Sequence, residues 1–432
     1  MDTAMAARAL LAQEARALLT RVQRIEPFAL QEPMVPAANV SPSARAAIDR
    51  SLAQGRRELL GRVQQFLRWL TSPRGRTAPP PVARRRLAAL RLRFNAVLTR
   101  VDVFADVLTQ RSEHGTGVWL AGLDAAAADG LALPGYYDAP PAICYLDRGM
   151  GAAIRRARTR LPGGGDNPVA IVRIPRERMI GSGVAASLFH EVGHQAAALL
   201  DLVASLRAAI ATQPGAGTGA WVYWERWISE ILADLWALAR LGIGATLGLM
   251  AVVSLPRPFV FRIELDDPHP FPWIRVRLSC ALGQALYPHP QWGRTARLWK
   301  ALYPLDPLST DKRQLIDRLQ AGMPGLIRLM LGHRPASLRG RALGAVLEPD
   351  SRQPMRLRQL YHAWLDMPMQ AYRTRPALVL AVIGQARADG RLSPEGEGRL
   401  LGKLLRHWAL RGANQQPAGC LVAANSDVLT AS

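Results

Sequence analysis

Lysine is almost missing from this chain. Of its 55 basic residues only Lys300, Lys312 and Lys403 are lysines, and the rest are arginines. A basic surface selected to hold nucleic acid has no reason to avoid lysine. Arginine excess beside abundant Ala, Gly, Leu and Pro is instead what a GC-rich coding sequence gives. The net charge of +22 therefore speaks first of solubility and of attraction to acidic partners. Aromatics are sparse too, at 6%, and few accompany the N-terminal arginines, so bases would find little to stack on. Nucleic-acid binding is disfavoured on both counts. The three cysteines, Cys144, Cys280 and Cys420, lie far apart and form no CxxC pair. That argues against a disulfide framework or a thiolate zinc site and fits a reducing compartment. No uncharged apolar run reaches the roughly 20 residues a bilayer requires. The nearest, LGIGATLGLMAVVSLP over 241–256, closes on Pro256 and Arg257 and reads as a buried helix. The N-terminus carries Asp2 and Glu14 where a signal peptide would have a basic start and an unbroken apolar stretch. The chain reads as a cytoplasmic protein without a membrane span.

What it does have is length and helical periodicity. With 432 residues and 49% hydrophobic content, it is long enough for two or three domains with packed cores. Residues 1–115 read as a helical region. Ser41 and Pro42 open a long helix with N-cap and first-turn chemistry, and Ile48, Leu52, Leu59, Val63, Phe66 and Leu70 keep helical spacing along it. SPRGRTAPPP (72–81) breaks that helix. A second carries Leu87, Leu90, Phe94, Val97, Val101, Phe104 and Leu108, three and four apart, the spacing of helices packed side by side. Between 42 and 113 stand 15 arginines against five acids. A solvated basic surface is the plainer reading, and a docking face for an acidic protein partner the sharper one.

From 116 to 290 the texture changes. Residues 117–147 read as short apolar runs and turns, PVAIVRIP (168–175) as a strand, and PFVFRIEL (258–265) as a second short strand. Residues 291–432 return to a helical pattern. There LSPEGEGRLLGKLLRHWAL (392–410) starts with Ser393 as cap, Pro394 and first-turn acids, and the tail beyond Arg411 is expected to fray. The fold class is α+β and predominantly helical, with a mixed central segment flanked by helical regions.

The central segment contains SLFHEVGHQAAALLDL (187–202). On a helix, residues four apart lie on one face, so His190 and His194 can reach one ion. Zinc accepts neutral imidazole nitrogen at about 2.0–2.1 Å and takes four ligands in a tetrahedron. Glu191, about 100° round the helix from His190, falls beside such an ion. There it can hold a water and take its proton. The plainer reading is a packed amphipathic helix that carries two histidines, and a third ligand decides between them. A HExxHxxGxxH continuation is closed, because Ala197 and Leu200 stand where its Gly and His would be. The remaining pattern takes a glutamate from a later helix with an aspartate four residues on. SEILADLWA (229–237) offers Glu230 and Asp234 on one face, with Asp234 placed to accept the spare N–H of a liganding histidine. Glu225 in WVYWERW is a competing third ligand without an acid at the fourth following position.

HEVGH followed by EILAD resembles the gluzincin zinc metallopeptidases. The ExxAD form is similar to the CAAX-prenyl endopeptidase and heat-shock membrane peptidase family. That family also carries His-Pro, four residues and Arg, as HPFPWIR does here with His269, Pro270 and Arg275. The match covers roughly residues 165–280. The resemblance implies a zincin-like core with a small sheet, and Zn²⁺ held by His190, His194 and Glu230 with Glu191 as general base. It further implies His269 near the metal, stabilising the oxyanion or gating access, and Arg275 pinning a buried carboxylate. Tyr223 and Tyr287 are weaker oxyanion candidates. PVAIVRIP stands where such enzymes keep the sheet edge that pairs with an extended substrate; an ordinary core strand is the other reading. The expected function is zinc-dependent endopeptidase action on a peptide or protein substrate. The alternative is a structural or adaptor protein on a zincin scaffold within a larger assembly, though a purely structural zinc site has no use for Glu191.

Overall fold

Proline marks where many of the helices begin. Eight of those described start on it, at Pro42, Pro73, Pro80, Pro272, Pro290, Pro354, Pro376 and Pro394. At that position the missing N–H costs nothing and the fixed φ suits the first turn. The structure, a computed structural model, describes residues 3–148, 151–175, 182–264, 266–347 and 349–414. In chain order it runs α1 (Thr3–Gln23), α2 (Pro42–Thr71), α3 (Pro73–Thr77), α4 (Pro80–Thr109) and α5 (His114–Leu131). Then come β1 (Ala142–Asp147), β2 (Ala153–Arg155) and β3 (Ala170–Pro175). Four helices follow: α6 (Ser182–Leu199), α7 (Leu202–Ala211), α8 (Trp221–Leu241) and α9 (Ile243–Val253). The chain continues through α10 (Arg257–Val260), α11 (Pro272–Leu286), α12 (Pro290–Leu302), α13 (Thr310–Gly332) and α14 (Leu343–Val346). It ends with α15 (Pro354–Asp366), α16 (Met369–Arg373), α17 (Pro376–Ala388) and α18 (Pro394–Asn414). The expected α+β, mostly helical class is what the structure has. The expected fraying beyond Arg411 falls largely outside the described residues, since α18 runs on to Asn414.

The chain divides into two compact units. One is built on residues up to Leu120 with Arg155–Ile171, the other on Ala121–Ile154 and Val172–Arg411. In the first, α1, α2 and α4 share a core. Leu11, Leu18 and Val22 meet Leu59, Val63 and Phe66 of α2 and Leu87, Phe94 and Val97 of α4. Burying each such side chain contributes about 1.5–3 kcal/mol. Ser41 caps α2 as its sequence suggests, accepting from the Ala44 N–H at 3.3 Å. The break at 72–81 holds the short helix α3, capped by Ser72 through the Gly75 N–H at 3.2 Å.

In the second unit α6 packs along α8 and α9. The 241–256 stretch is the expected buried helix, α9, with Ile243, Ala245, Thr246, Met250 and Val253 inside. No described helix is long and apolar enough to cross a membrane. The helices of 291–411, which the sequence reading sets apart as a region of their own, pack within this unit. Trp299 donates its indole N–H to the Trp273 carbonyl at 3.2 Å, and Gln385 of α17 bonds Gln291 of α12 at 2.9 Å. Trp292 and Trp299 are fully buried there.

Two expectations are corrected, and one open choice is narrowed. Residues 114–131 form one helix, α5, instead of short runs and turns, because DAAAADG is rich in the best helix former. PFVFRIEL is not a strand: Pro256 and Pro258 start the helical turn α10, and Arg262, Ile263 and Glu264 are irregular, with Leu265 outside the described residues. β3, which carries PVAIVRIP, is the middle strand of a three-stranded sheet ordered β1-β3-β2. Of its two readings the core strand is therefore the one the described sheet supports, with β1 on one side of β3 and the three-residue β2 on the other.

Candidate metal centre

The centre depends on how closely α6 and α8 approach. Gly193, inside the HEVGH motif, is where they meet. A Cβ there would lie 2.9 Å from the Cα and O of Ala233 and from the Cβ of Trp236. Phe189 and Trp236 fix the same pair against α5: Phe189 presses on Gly130, and the Trp236 indole N–H donates to the Gly130 carbonyl at 3.0 Å. His190 is thereby brought against Glu230 and Asp234, one turn apart on α8, and His194 against Glu230.

His190 Nδ1 lies 2.8 Å from Asp234 Oδ1, and its Nε2 lies 3.1 Å from Glu230 Oε2. His194 Nε2 is 3.4 Å from the other Glu230 oxygen, while its Nδ1 faces the Ser229 hydroxyl at 3.4 Å. The two imidazoles meet edge to face at 4.8 Å between centroids. Asp234 is gripped in turn by Arg275, whose Nε donates to Oδ2 at 2.6 Å and Nη2 to Oδ1 at 2.8 Å. With the Nδ1 proton of His190 given to Asp234, the 3.3 Å approach of Arg275 Nη2 to that nitrogen sets two donors side by side and is a contact, not a bond. This chain of partners fixes the tautomer of His190 and points its Nε2 at Glu230.

Electrostatics follow from burial and pairing. Burial alone would lower the His190 pKa and raise that of Asp234. Their mutual pairing wins, lifting His190 to about 9 and, with Arg275, holding Asp234 well below the usual carboxylate range. Glu230 behaves likewise: burial pushes it up, but bonds from His190, His194 and His269 hold it far down. Glu191 goes the other way, because burial raises it and no partner bond offsets that. A bare imidazole nitrogen and a carboxylate oxygen 3.1 Å apart repel unless a cation lies between them. A proton satisfies that requirement, and so does a metal.

The spacing of the donor set is near that of a metal site. Two bonds of about 2.0–2.1 Å opened at the tetrahedral angle place their donor atoms about 3.3–3.4 Å apart. The His190–Glu230 and His194–Glu230 separations are 3.1 Å to Oε2 and 3.4 Å to Oε1; one atom from each of the three residues falls within 4.8 Å of the others, so a shared ion would draw the three donors closer together. Glu191 and Glu230 are 8% and 7% exposed. This largely buried His-His-Glu group could hold a metal ion.

A cleft of about 170 Å³ opens beside it. His190, Glu191, Asp234, His269 and Arg275 line one part, and Ala237, Ala245, Leu249 and Val252 of α8 and α9 make an apolar part. His269 stands at its side, 46% exposed, with Nε2 at 3.1 Å from Glu230 Oε2 and Nδ1 at 2.7 Å from Asp267 Oδ1. Two facing carboxylates raise its pKa, the Glu230 bond first.

All seven residues singled out for the centre meet here: His190, His194, Glu230, Glu191, Asp234, Arg275 and His269. Others do not. Glu225 is absent from the ligand group, and Tyr223 packs on Trp227. Tyr287 is fully buried elsewhere, donating its hydroxyl to the Ala239 carbonyl at 3.0 Å. Sequence reasoning passes over Asp267, which braces His269 through both its ring and its backbone N–H at 2.9 Å, and Ser229 behind His194. The first had a signal in DDPHP, where an aspartate two residues before a histidine can turn back on it. Comparison with protein-family models, curated proteins and solved structures gives no match.

Proposed function

We propose that this chain is a zinc-dependent peptide hydrolase of gluzincin type, with a zincin-like core formed by α6, α8 and α11. One observation carries the reading: the donor atoms of His190, His194 and Glu230 converge, and one of them, His190, lines together with Glu191 the cleft beside the group. A structural zinc site has no role for such a glutamate. Imidazole and carboxylate donors suit zinc, and the single carboxylate among them disfavours calcium or magnesium, which take oxygen ligands.

Zinc held by His190, His194 and Glu230 would polarise the scissile carbonyl and bring a water toward ionisation near neutral pH. Glu191 takes one proton from the attacking water as the oxygen bonds to the carbonyl carbon. It returns that proton to the amide nitrogen as the C–N bond breaks, leaving an acid and an amine. The upward shift of its pKa suits a group that must both accept and give a proton. His269, kept toward its protonated form by Glu230 and Asp267, lends positive charge to the developing oxyanion. Asp234 and Arg275 touch no substrate; they hold His190 in the ligating tautomer. The apolar part of the cleft, with Leu249 and Val252, suits an aliphatic side chain beside the scissile bond.

Metal analysis with a Glu191→Gln variant tests this. The parent should carry about one zinc per chain, matching the single His-His-Glu group, and cleave an unfolded protein substrate. His190→Ala and Glu230→Ala should lose the metal, whereas Glu191→Gln should keep it and lose cleavage. Undiminished cleavage by Glu191→Gln would remove the glutamate from the mechanism. A parent that binds zinc but cleaves no peptide would favour an adaptor built on the same scaffold.

A further inference from the structure

A second concavity belongs to the first unit and shares no residue with the metal centre. It is a groove of about 720 Å³ between α2, α4 and the loop at 160–164. Arg62 projects into it from α2, Arg86 and Arg93 from α4, and Arg160 from the loop, and none of its lining residues is an acid. Glu58, outside the lining, reaches Arg93 at 3.4 Å. The floor is apolar, from Phe66, Leu90 and Leu161.

The wall is set before anything binds. Arg100 is buried and turns its guanidinium onto the loop and α2. Nε and Nη2 donate to the Pro162 carbonyl at 3.1 and 3.0 Å, Nη2 also to the Gly164 carbonyl, and Nη1 to the Ser51 carbonyl at 3.2 Å. Gly163, at φ +78°, lies so close to α4 that a Cβ would come within 3.1–3.2 Å of the side chain and backbone of Val97. A preformed wall lowers the entropy cost of binding.

Codon bias explains many arginines, but not four of them round a preformed apolar groove that no acid lines. Guanidinium forks match carboxylates two bonds at a time, and an apolar floor rewards an aliphatic side chain. Nucleic acid fits less well. The Trp69 ring is covered by the Arg86 guanidinium, 4.0 Å from its centre, and Phe66 is 5% exposed, so no broad aromatic face is free for a base.

We infer that this groove binds an acidic peptide segment, its carboxylates on Arg62, Arg86, Arg93 and Arg160 and one aliphatic side chain against Leu90. The test is a random dodecapeptide display library panned on the whole chain carrying Glu191→Gln, so that bound peptides are not cut. Selected peptides should pair Asp or Glu with Leu, Ile or Val, and should weaken as salt rises. Replacing their acids with Asn or Gln should abolish binding. An Arg62→Ala/Arg160→Ala double variant should bind them at least about fivefold more weakly, each exposed pair being worth a fraction of a tenfold. Both side chains are exposed, and an unchanged melting temperature will show that the fold is kept. No enrichment for acids, or equal binding by the variant, overturns the inference. A single-stranded oligonucleotide that binds through these arginines where acidic peptides do not would overturn it in favour of nucleic acid.

Discussion

Replacing Gly193 with alanine should cost the chain its metal while leaving most of its stability. The added Cβ would sit 2.9 Å from three atoms of α8, two of them backbone. Carbon contacts settle at about 3.5–4.0 Å, so α8 must retreat by roughly 0.6–1 Å. Overpacking of that kind costs about 1–3 kcal/mol, and alanine regains up to about 1 kcal/mol of it as the better helix former. The net loss of about 1 kcal/mol lowers the melting temperature by only a few degrees in a unit this size. The metal is less forgiving. Its bonds tolerate about 0.2 Å, and Glu230 would withdraw from His190 and His194 by several times that. Zinc affinity, measured by competition with a chromophoric chelator, should fall at least about 10- to 100-fold, the range seen when groups supporting a metal site are disturbed. Gly183→Ala is the control, on the same helix with nothing within 4 Å of its Cβ, and should bind zinc normally. A folded Gly193→Ala chain with parental zinc affinity would refute the claim that helix approach sets the site.

Three further outcomes follow from the same contacts. Arg275→Ala leaves the buried Asp234 carboxylate without its two-bond partner and should destabilise by about 3–5 kcal/mol in urea unfolding; a loss below about 1 kcal/mol would contradict the pairing. In chelator the stability of the metal-free chain should depend on pH through His190. Its pKa is raised from 6.5 to about 9, so its contribution is full below 6.5 and lost as pH climbs through about 9. Zinc displaces that proton, so zinc affinity should rise over the same interval; calorimetry in buffers of different ionisation enthalpy counts the protons released, and none released would disprove the competition. Asp234→Asn keeps the shape but lets His190 turn to the other tautomer, and should weaken zinc about tenfold or more, whereas equal affinity would show that Asp234 does not orient the ring.

The parts of the centre that could be read from sequence are those set by spacing along one helix. His190 and His194 are four apart, as are Glu230 and Asp234, and each pair shares a face whatever surrounds it. His269 and Arg275 came from resemblance to a motif, and no periodicity would have found them. What stayed hidden depends on a second segment. Gly193 reads as a weak spot in a helix until Ala233 is set against it, and Gly130 as a turn until Phe189 fills the space over it. The order β1-β3-β2 is a long-range fact, so PVAIVRIP could be recognised as a strand but not as the middle one. PFVFRIEL has strand composition, yet its own Pro258 and the preceding Pro256 favour a helical turn, and composition cannot say whether a neighbouring strand exists.

The charges of the centre explain why its residues belong together. Glu191, Glu230 and Asp234 bring three negative charges into a largely buried volume, and Arg275 returns one positive charge. Isolated buried charges are expensive, and pairing is what makes them tolerable. Without a metal, a proton on His190 supplies part of the missing positive charge, and pairing with Asp234 and Glu230 raises its pKa against the pull of burial. With His190 and His194 neutral, as metal ligands must be, a dication brings the three carboxylates and Arg275 to zero. A monovalent ion would leave a buried negative charge, and a trivalent one a positive charge. His269, half exposed at the side of the cleft, lies outside this balance and keeps its charge free for an oxyanion. On the proposed reading the carboxylate count would favour a dication, and the two imidazoles a metal that accepts nitrogen ligands.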